Sequence, residues 1–412
     1  MFAAAAMPEW LERARGLARA GRWQEAKYVL LAAGGGVDEC PWALYLLAEA
    51  CSRLSDRATA FDAARRALSA FHLAGDDAGI LKATNLIGIV HFHGGDPASA
   101  QAWFRDALGL AHAAGASEMA ARIANNLGSV HTLQGDAARA LEHYHAALAA
   151  YDTAGDVAGQ AQVCHNLGIA HRDLERWAEA DALFAAAATH AQSLGDHSAF
   201  GFAILERAGL ALRRGEPGVA EQVARQAAVR FDACGSEYGH AEVFRLRGMI
   251  AARRGELAEA HALLDRAAAR SAIHGVALVD AEVRLERGIV LCRLGERDAG
   301  QDDFRVAAET FESLGAAHLA RRARALLAAP PSPDAPSADS RPADSPSADS
   351  PSAGSPSAEA ASAGSAPPES TSAVVPVAAV PVVAGRAGAA PSPEVPASVQ
   401  VAGDGTSRMR AA

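Results

Sequence analysis

Residues 127–147 read LGSVHTLQGDAARALEHYHAA, and residues 167–187 read LGIAHRDLERWAEADALFAAA, in the same register 40 positions later. Both segments contain a Leu-Gly pair, alanines 12 and 19 residues after its glycine, and an aromatic residue 16 residues after it. A repeat of this length decides the architecture, because each unit buries its apolar face only against its neighbours.

The markers of this repeat recur at steps of 40 residues along most of the chain, without an insertion. One glycine series is Gly75, Gly115, Gly155, Gly195, Gly235, Gly275 and Gly315. A second series is Gly88, Gly128, Gly168, Ala208, Gly248 and Gly288. A bulkier series is Phe104, Tyr144, Phe184, Ala224, Leu264 and Phe304, in which Ala224 is the exception.

The markers predict two helices per unit. Gly75 and its equivalents suit the end of a helix, and the Asp that often follows suits the start of the next one. Gly95-Asp96 repeats this signal later in the unit, which leaves roughly 16–18 residues for each helix. Gly88 and its equivalents allow the paired helix to approach closely, and we expect Phe104 or Tyr144 to fill the gap between units.

This pattern resembles the tetratricopeptide repeat, whose markers are met here by Leu127-Gly128, Gly135, Ala140, Tyr144 and Ala147. The unit is longer than the usual 34 residues of that family, and looks like the longer repeats of Leu-Gly-Asn-type adaptors and actinobacterial regulators. The resemblance implies an all-α fold: a right-handed superhelical solenoid of about eight helix pairs plus a capping helix.

The solenoid is predicted to span residues 1–328. Its expected units are 8–39, 40–75, 76–115, 116–155, 156–195, 196–235, 236–275 and 276–315, with a cap helix at 316–328. Gly34–Gly36 is expected to form a flexible joint. Residues 329–412 contain fifteen of the 19 prolines and no aromatic residue, a composition that cannot bury a core and predicts a disordered tail.

Composition excludes several classes of protein. The formal net charge is −10 and the basic residues are dispersed, so we expect no nucleic-acid partner. No apolar stretch is long enough to span a membrane, and Met1–Met7 makes a poor signal peptide. The five cysteines form no CxxC pair, which favours a reducing, cytoplasmic location.

No residue pattern indicates catalysis. The chain lacks HExxH, GxSxG and GxGxxG, so we predict a protein that is not an enzyme, with no catalytic residue and no cofactor. His91, His131 and His171 are 40 residues apart, and stacked helices place such positions roughly 10 Å apart. That spacing is too wide for one metal ion, so we expect structural histidines and no metal.

The remaining candidate site is the concave face of the first helix in each of three central units. The predicted peptide-binding residues are Lys82, Asn85, Arg122, Asn125, Asn126, Ser129, Gln162, His165, Asn166 and Arg172. In the adaptors that the chain resembles, an asparagine at the place of Asn126 and Asn166 binds the main chain of an extended ligand. The alternative is that these asparagines bond across neighbouring helices or to water.

Arg207, Arg247 and Arg287 form a further series at 40-residue steps. They suit either an acidic peptide or ion pairs between units. The sequence thus predicts a non-enzymatic adaptor or scaffold that binds an extended peptide or a protein segment, with no nucleic-acid or membrane partner. The alternative function is a ligand- or peptide-sensing module acting on a transcription regulator or another signalling protein. The oligomeric state and the partner are left open.

Overall fold

The computed structural model describes residues 8–274 and 277–332, and within them every regular element is a helix. Expectations for Met1–Met7, for Gly275 and for the tail from residue 333 onwards lie outside the described residues. None of the described helices combines the length and apolar character that crossing a bilayer requires. The helices are α1 Glu9–Arg19, α2 Trp23–Ala32, α3 Gly35–Asp38, α4 Pro41–Arg53, α5 Arg57–Ala74, α6 Asp77–His93, α7 Pro97–Ala113, α8 Ser117–Gln134, α9 Ala137–Ala154, α10 Val157–Asp173, α11 Trp177–Ser193, α12 His197–Arg213, α13 Pro217–Cys234, α14 Glu237–Arg254, α15 Leu257–His274, α16 Ala277–Leu294, α17 Arg297–Ser313 and α18 Ala317–Ala328.

The helices end and begin where the Gly-Asp signals predict. Gly75 adopts a left-handed φ of 65° directly after α5, and the Asp76 side chain accepts a hydrogen bond from the Gly79 backbone N–H at 2.9 Å. Two non-glycine residues, Ser55 and Glu175, take the same left-handed conformation with φ of 60° and 58°. An L side chain is strained in that conformation, so these two turns are weak points of the array.

The chain forms eight consecutive helix pairs, from α1–α2 to α16–α17, followed by the capping helix α18. This confirms the predicted all-α solenoid. One local expectation differs, because Gly34–Gly36 is not simply an irregular joint: Gly35–Asp38 forms the short helix α3. Val37 is buried there, and Gly36 lies against the Trp10 ring, so packing orders this segment.

Within a unit, the small residue of the first helix seats the large residue of the second. A Cβ added at Gly88 would lie 2.6 Å from the Phe104 ring, and one at Gly168 would lie 2.5 Å from the Phe184 ring. The unit in which alanine replaces the aromatic residue, at Ala224, is also the unit in which Ala208 replaces the glycine. The two exceptions therefore compensate each other in volume.

A second set of aromatic residues fills the junctions between units. Phe71, Tyr151 and Phe231 each lie directly on a glycine eight residues later, in the first helix of the next unit. These residues and Phe311 recur every 80 residues, whereas Ala111, Ala191 and Ser271 occupy the equivalent places between them. The junctions thus alternate between two kinds of packing, which the 40-residue analysis of the sequence missed.

The end of the array also contacts its middle, through what we call the closing contact. It joins the loops at residues 92–97 and 133–135 to residues 313–320. Helix α18 packs on α17 and also contacts α8. Leu133 belongs to the same buried cluster as Phe304 and Phe311. The solenoid therefore closes on itself, whereas the sequence predicted only that α18 covers the last unit.

Candidate binding groove

The ten predicted groove residues lie on the first helices of three consecutive units, α6, α8 and α10. Lys82, Gln162 and Arg172 are half-buried. Helix α8 is buried at every position from Ala121 to Leu133. The groove face is thus covered in this closed form, which the sequence pattern did not indicate. The remaining seven predicted residues are all buried: Asn85, Arg122, Asn125, Asn126, Ser129, His165 and Asn166.

Four of these residues form a ladder of amides between neighbouring units. The Asn126 Nδ2 donates to Asn85 Oδ1 at 3.1 Å, and the Asn166 Nδ2 donates to Asn125 Oδ1 at 3.0 Å. This is the inter-helix bonding that the sequence left as the alternative to ligand binding. Binding at these residues is not tested by the geometry and stays a prediction.

The second rung of the ladder leaves two polar atoms unpaired. Asn125 Nδ2 and Asn166 Oδ1 have no hydrogen-bond partner among the described residues, although both side chains are fully buried. A buried polar atom without a partner costs roughly 1–3 kcal/mol. The pair offers one donor and one acceptor, which are the two groups that a peptide unit of a ligand can satisfy.

The other predicted residues are already engaged within the solenoid. The Ser129 hydroxyl donates to the Asn125 backbone carbonyl at 3.1 Å and accepts from the Tyr144 hydroxyl at 3.4 Å. Arg122 pairs with Glu118 one turn earlier on α8. Lys82 lies 5.2 Å from the centre of the Trp42 ring, a cation–π geometry.

The three following first helices, α12, α14 and α16, carry charges where the earlier ones carry amides. Glu206 is equivalent to Asn166 and accepts from Arg172 Nη1 at 2.7 Å. In the next unit, Arg245 contacts Glu242 at 2.6 Å and Glu282 at 3.6 Å. The participation of Arg245 was missed, although its 40-residue spacing from His165 and Asn125 could have revealed it.

The carboxylates of this charged cluster respond differently to their surroundings. Burial acts to raise the pKa of the Glu206 carboxyl, but Arg172 and His165 hold it below its ordinary value. For Glu282, burial dominates and Glu242 adds to it, so the pKa rises to about 7 despite Arg245. One cation serving two close carboxylates explains why Glu282 is under-compensated.

The arginine series forms ion pairs with neighbouring helices. Arg207 pairs with Asp181 at 2.8 Å, and Arg247 pairs with Glu221 at 2.9 Å. Both carboxylates lie on the second helix of the preceding unit. Arg287 instead contacts Asp303 at 2.8 Å within its own unit. These arginines therefore have carboxylate partners inside the array.

The spaced histidines do not come together. His91 Nδ1 lies 3.3 Å from Asp96, whereas His131 stacks on His143 with ring centres 5.4 Å apart. The His131 Nε2 also lies 3.0 Å from Gln101 Nε2. Among residues 8–274 and 277–332, no three His, Cys, Asp or Glu side chains are grouped as metal ligands.

A separate open cavity of about 380 Å³ lies between α7, α8 and α9. Its polar lining comprises His112, Ser117 and His143, and the rest is mostly alanine. This lining offers few hydrogen-bonding groups and no cluster of charges, in contrast to the face that carries the amide ladder.

Comparisons with known proteins address both the sequence and the fold. A family model described as tetratricopeptide repeat matches residues 119–193, the part of the chain that contains most of the amide ladder. A comparison with curated proteins finds no matching relative. The sequence match is therefore local, and the rest of the array is assigned through its fold.

Solved structures of Rap proteins share this fold. The Rap conjugation gene regulator of plasmid pLS20, solved with a Phr peptide, has a TM-score of 0.54 and 16% identity, covering 67% of this chain and 79% of its own. A Rap protein complexed with competence and sporulation factor has a TM-score of 0.51 and 14% identity, covering 77% of this chain and 95% of its own. Aspartyl phosphate phosphatase F from Bacillus subtilis has a TM-score of 0.50 and 12% identity, covering 79% of this chain and 95% of its own. At these identities the similarity concerns the architecture.

Proposed function

Because this chain is a tetratricopeptide-repeat protein, we propose that it is a non-enzymatic adaptor that binds an extended peptide or partner segment along the inner faces of its first helices. The observation that carries the proposal is the unpaired donor of Asn125 beside the unpaired acceptor of Asn166. One peptide unit of a ligand in extended conformation would satisfy both atoms. The five free cysteines suit a reducing compartment such as the cytoplasm for this activity.

The charged cluster defines the next part of the proposed ligand path. It follows the amide ladder directly in the array, since Arg172 lies one and a half turns after Asn166 on α10 and bonds to Glu206. A cationic group on the ligand would compensate Glu282, which shares Arg245 with Glu242. We therefore expect the ligand to combine main-chain contacts at the ladder with a basic group beyond it.

Two Rap proteins of the same fold were solved with peptides bound, which makes a peptide a reasonable first ligand class. The second candidate function is a peptide-sensing regulatory module that acts on another signalling protein. The closing contact favours this alternative, because a closed and an opened array would present different surfaces to a partner.

The test uses the full chain and a displayed library of random linear peptides. Peptides selected on the wild type are measured by fluorescence anisotropy against two double variants. Asn125→Leu with Asn166→Leu removes the unpaired atoms, and we expect at least a roughly ten-fold loss of affinity. Asn85→Leu with Asn126→Leu removes the other rung, in which neither Asn85 nor Asn126 leaves a buried side-chain atom unpaired, and should bind nearly as well.

Equal loss of affinity in both double variants would contradict the proposal, because binding would then follow the packing of the ladder and not its unpaired atoms. Failure to select any peptide on the wild type, together with failure of the opened variants described below, would also contradict it.

A further inference from the structure

The closing contact is built from backbone against backbone. Gly95 has a φ of +81°, and a Cβ added to it would lie 2.6 Å from the Ser313 carbonyl oxygen. Gly315 faces the Pro97 ring in the same way. A Cβ added at Gly135 would lie 3.2 Å from His318. Three glycines at equivalent ends of helices thus permit an approach that any other residue would prevent.

Side chains beneath these glycines complete the contact. Leu133 is buried with Phe304 and Phe311, and Phe92 packs on the same cluster. His318 hydrogen-bonds the Leu133 backbone. The contact is small, since it involves only two helix-end loops and one short helix. Every unit retains its own neighbours when this contact opens, so opening does not require any unit to unfold.

The closing contact involves the helix that carries the proposed site. Helix α18 contacts α8, and α8 contributes Asn125, Asn126 and Ser129, which are all fully buried in the closed form. An extended peptide cannot reach atoms that are covered. A ligand that binds only an opened form must shift the molecule towards that form.

We propose that the closing contact is a latch that gates the groove. With the latch closed, the amide ladder is covered; with it open, the solenoid extends and the ladder becomes accessible. This inference rests on the proposed function for the identity of the ligand. The latch itself is tested without any ligand.

The array supplies a matched control for the latch. Gly215 and Gly255 occupy the same turn as Gly95 and Gly135, with φ of +80° and +81°, but a Cβ added there meets nothing within 4 Å. Alanine imposes the same backbone strain in all four turns. Gly95→Ala with Gly135→Ala therefore differs from Gly215→Ala with Gly255→Ala mainly by the lost closing contact.

Both double variants are made in the full chain and in a background with Ser129→Cys. We expect the latch pair to increase the radius of gyration in small-angle X-ray scattering and to raise hydrogen exchange at residues 92–97, 133–136 and 313–320. We also expect maleimide labelling of the introduced cysteine, followed by peptide mass spectrometry, to be at least ten-fold faster than in the control pair. The control pair should lose thermal stability without these changes.

Equal labelling rates and equal radii in the two pairs would overturn the latch, whether or not a peptide ligand exists. Peptides from the library distinguish the two proposals. If the latch holds, peptides selected on the wild type bind the latch pair more tightly, because a larger fraction is binding-competent. Faster labelling without any peptide binding to the latch pair would support the latch and contradict the proposed function.

Discussion

Equivalent positions of the repeat carry different chemistry in the two halves of the array. In the first half, α6, α8 and α10 bury four asparagines that bond from unit to unit. In the second half, α12, α14 and α16 place Glu206, Arg245 and Glu282 in a network of ion pairs. The backbone frame is the same, so the difference shows that the frame determines position and leaves the kind of polar group free.

The halves therefore suit different parts of a ligand. Neutral amides can pair with main-chain groups at any pH, whereas the charged network changes with the protonation of Glu282. Four predictions test this comparison, in order of decreasing effect.

The largest effect is expected where the packing of the first half is broken. Gly168→Ala places a methyl group 2.5 Å from the Phe184 ring, and overpacking of this kind costs about 1–3 kcal/mol. Gly209, in the second half, has nothing within 4 Å of an added Cβ, so Gly209→Ala should stabilise the helix by about 0.5–1 kcal/mol. Urea denaturation followed by circular dichroism measures both variants. A similar loss of stability in both would contradict the seating of aromatic residues on glycines.

The second prediction concerns the pH dependence of the charged half. The pKa of Glu282 is raised to about 7, so folding favours its neutral form. Its contribution to the free energy of unfolding is present below the ordinary pKa of a glutamate and is lost as the pH rises through 7. We expect a loss on the order of 2 kcal/mol between pH 5 and pH 8.

Glu282→Gln should remove this dependence, since glutamine stays neutral. Glu286→Gln serves as the control, because Glu286 lies in the same helix and pairs with Arg322 at 3.1 Å. Thermal denaturation at several pH values distinguishes the two variants. An unchanged slope in Glu282→Gln would assign the pH dependence to another group.

The third prediction concerns the amide half. Asn166→Leu leaves both polar atoms of the Asn125 side chain without a partner, which costs about 1–2 kcal/mol. Adding Asn125→Leu replaces both partners by apolar groups of similar size and should restore most of the stability. A double-mutant cycle by urea denaturation gives the coupling between the two residues. Additive losses would show that the bond seen here contributes nothing.

The smallest effect is expected for the arginine series. Arg207 is 41% exposed in its pair with Asp181, so Arg207→Ala should cost less than about 1 kcal/mol, and less still at high salt. Thermal denaturation at low and high ionic strength measures this. A large loss that does not depend on salt would indicate that Arg207 contributes mainly through packing.

The sequence predicted the fold because its markers act locally. A glycine such as Gly75 ends a helix through its own φ, and Gly88 receives Phe104 from the same unit. Such effects involve few residues and repeat unchanged, so the spacing alone indicates them. The helix α3 escaped because its order comes from the packing of Val37 and Trp10 around the glycines, not from the glycines themselves.

The site was predicted less completely, since burial depends on distant contacts. The sequence places Asn126 and Asn166 correctly on first helices, but their exposure is decided by neighbouring units and by the far end of the array. The approach of His318 to Gly135 joins the last helix to a turn of the fourth unit. No local spacing encodes that meeting, so the sequence could describe the groove without showing that it is closed.

The alternating junctions restrict how an array of this kind can change its length. Removing residues 116–155 would bring Ala111 to face Gly159 and leave a void where Tyr151 now packs. Removing residues 156–195 would bring Tyr151 onto Ala199, whose methyl group occupies the space that Gly159 leaves free. Removing both units together leaves small residues on both sides of the new junction, as between Ala191 and Ala199 today. Duplications and deletions should therefore survive selection in steps of two units, which makes the pair, and not the single repeat, the unit of inheritance.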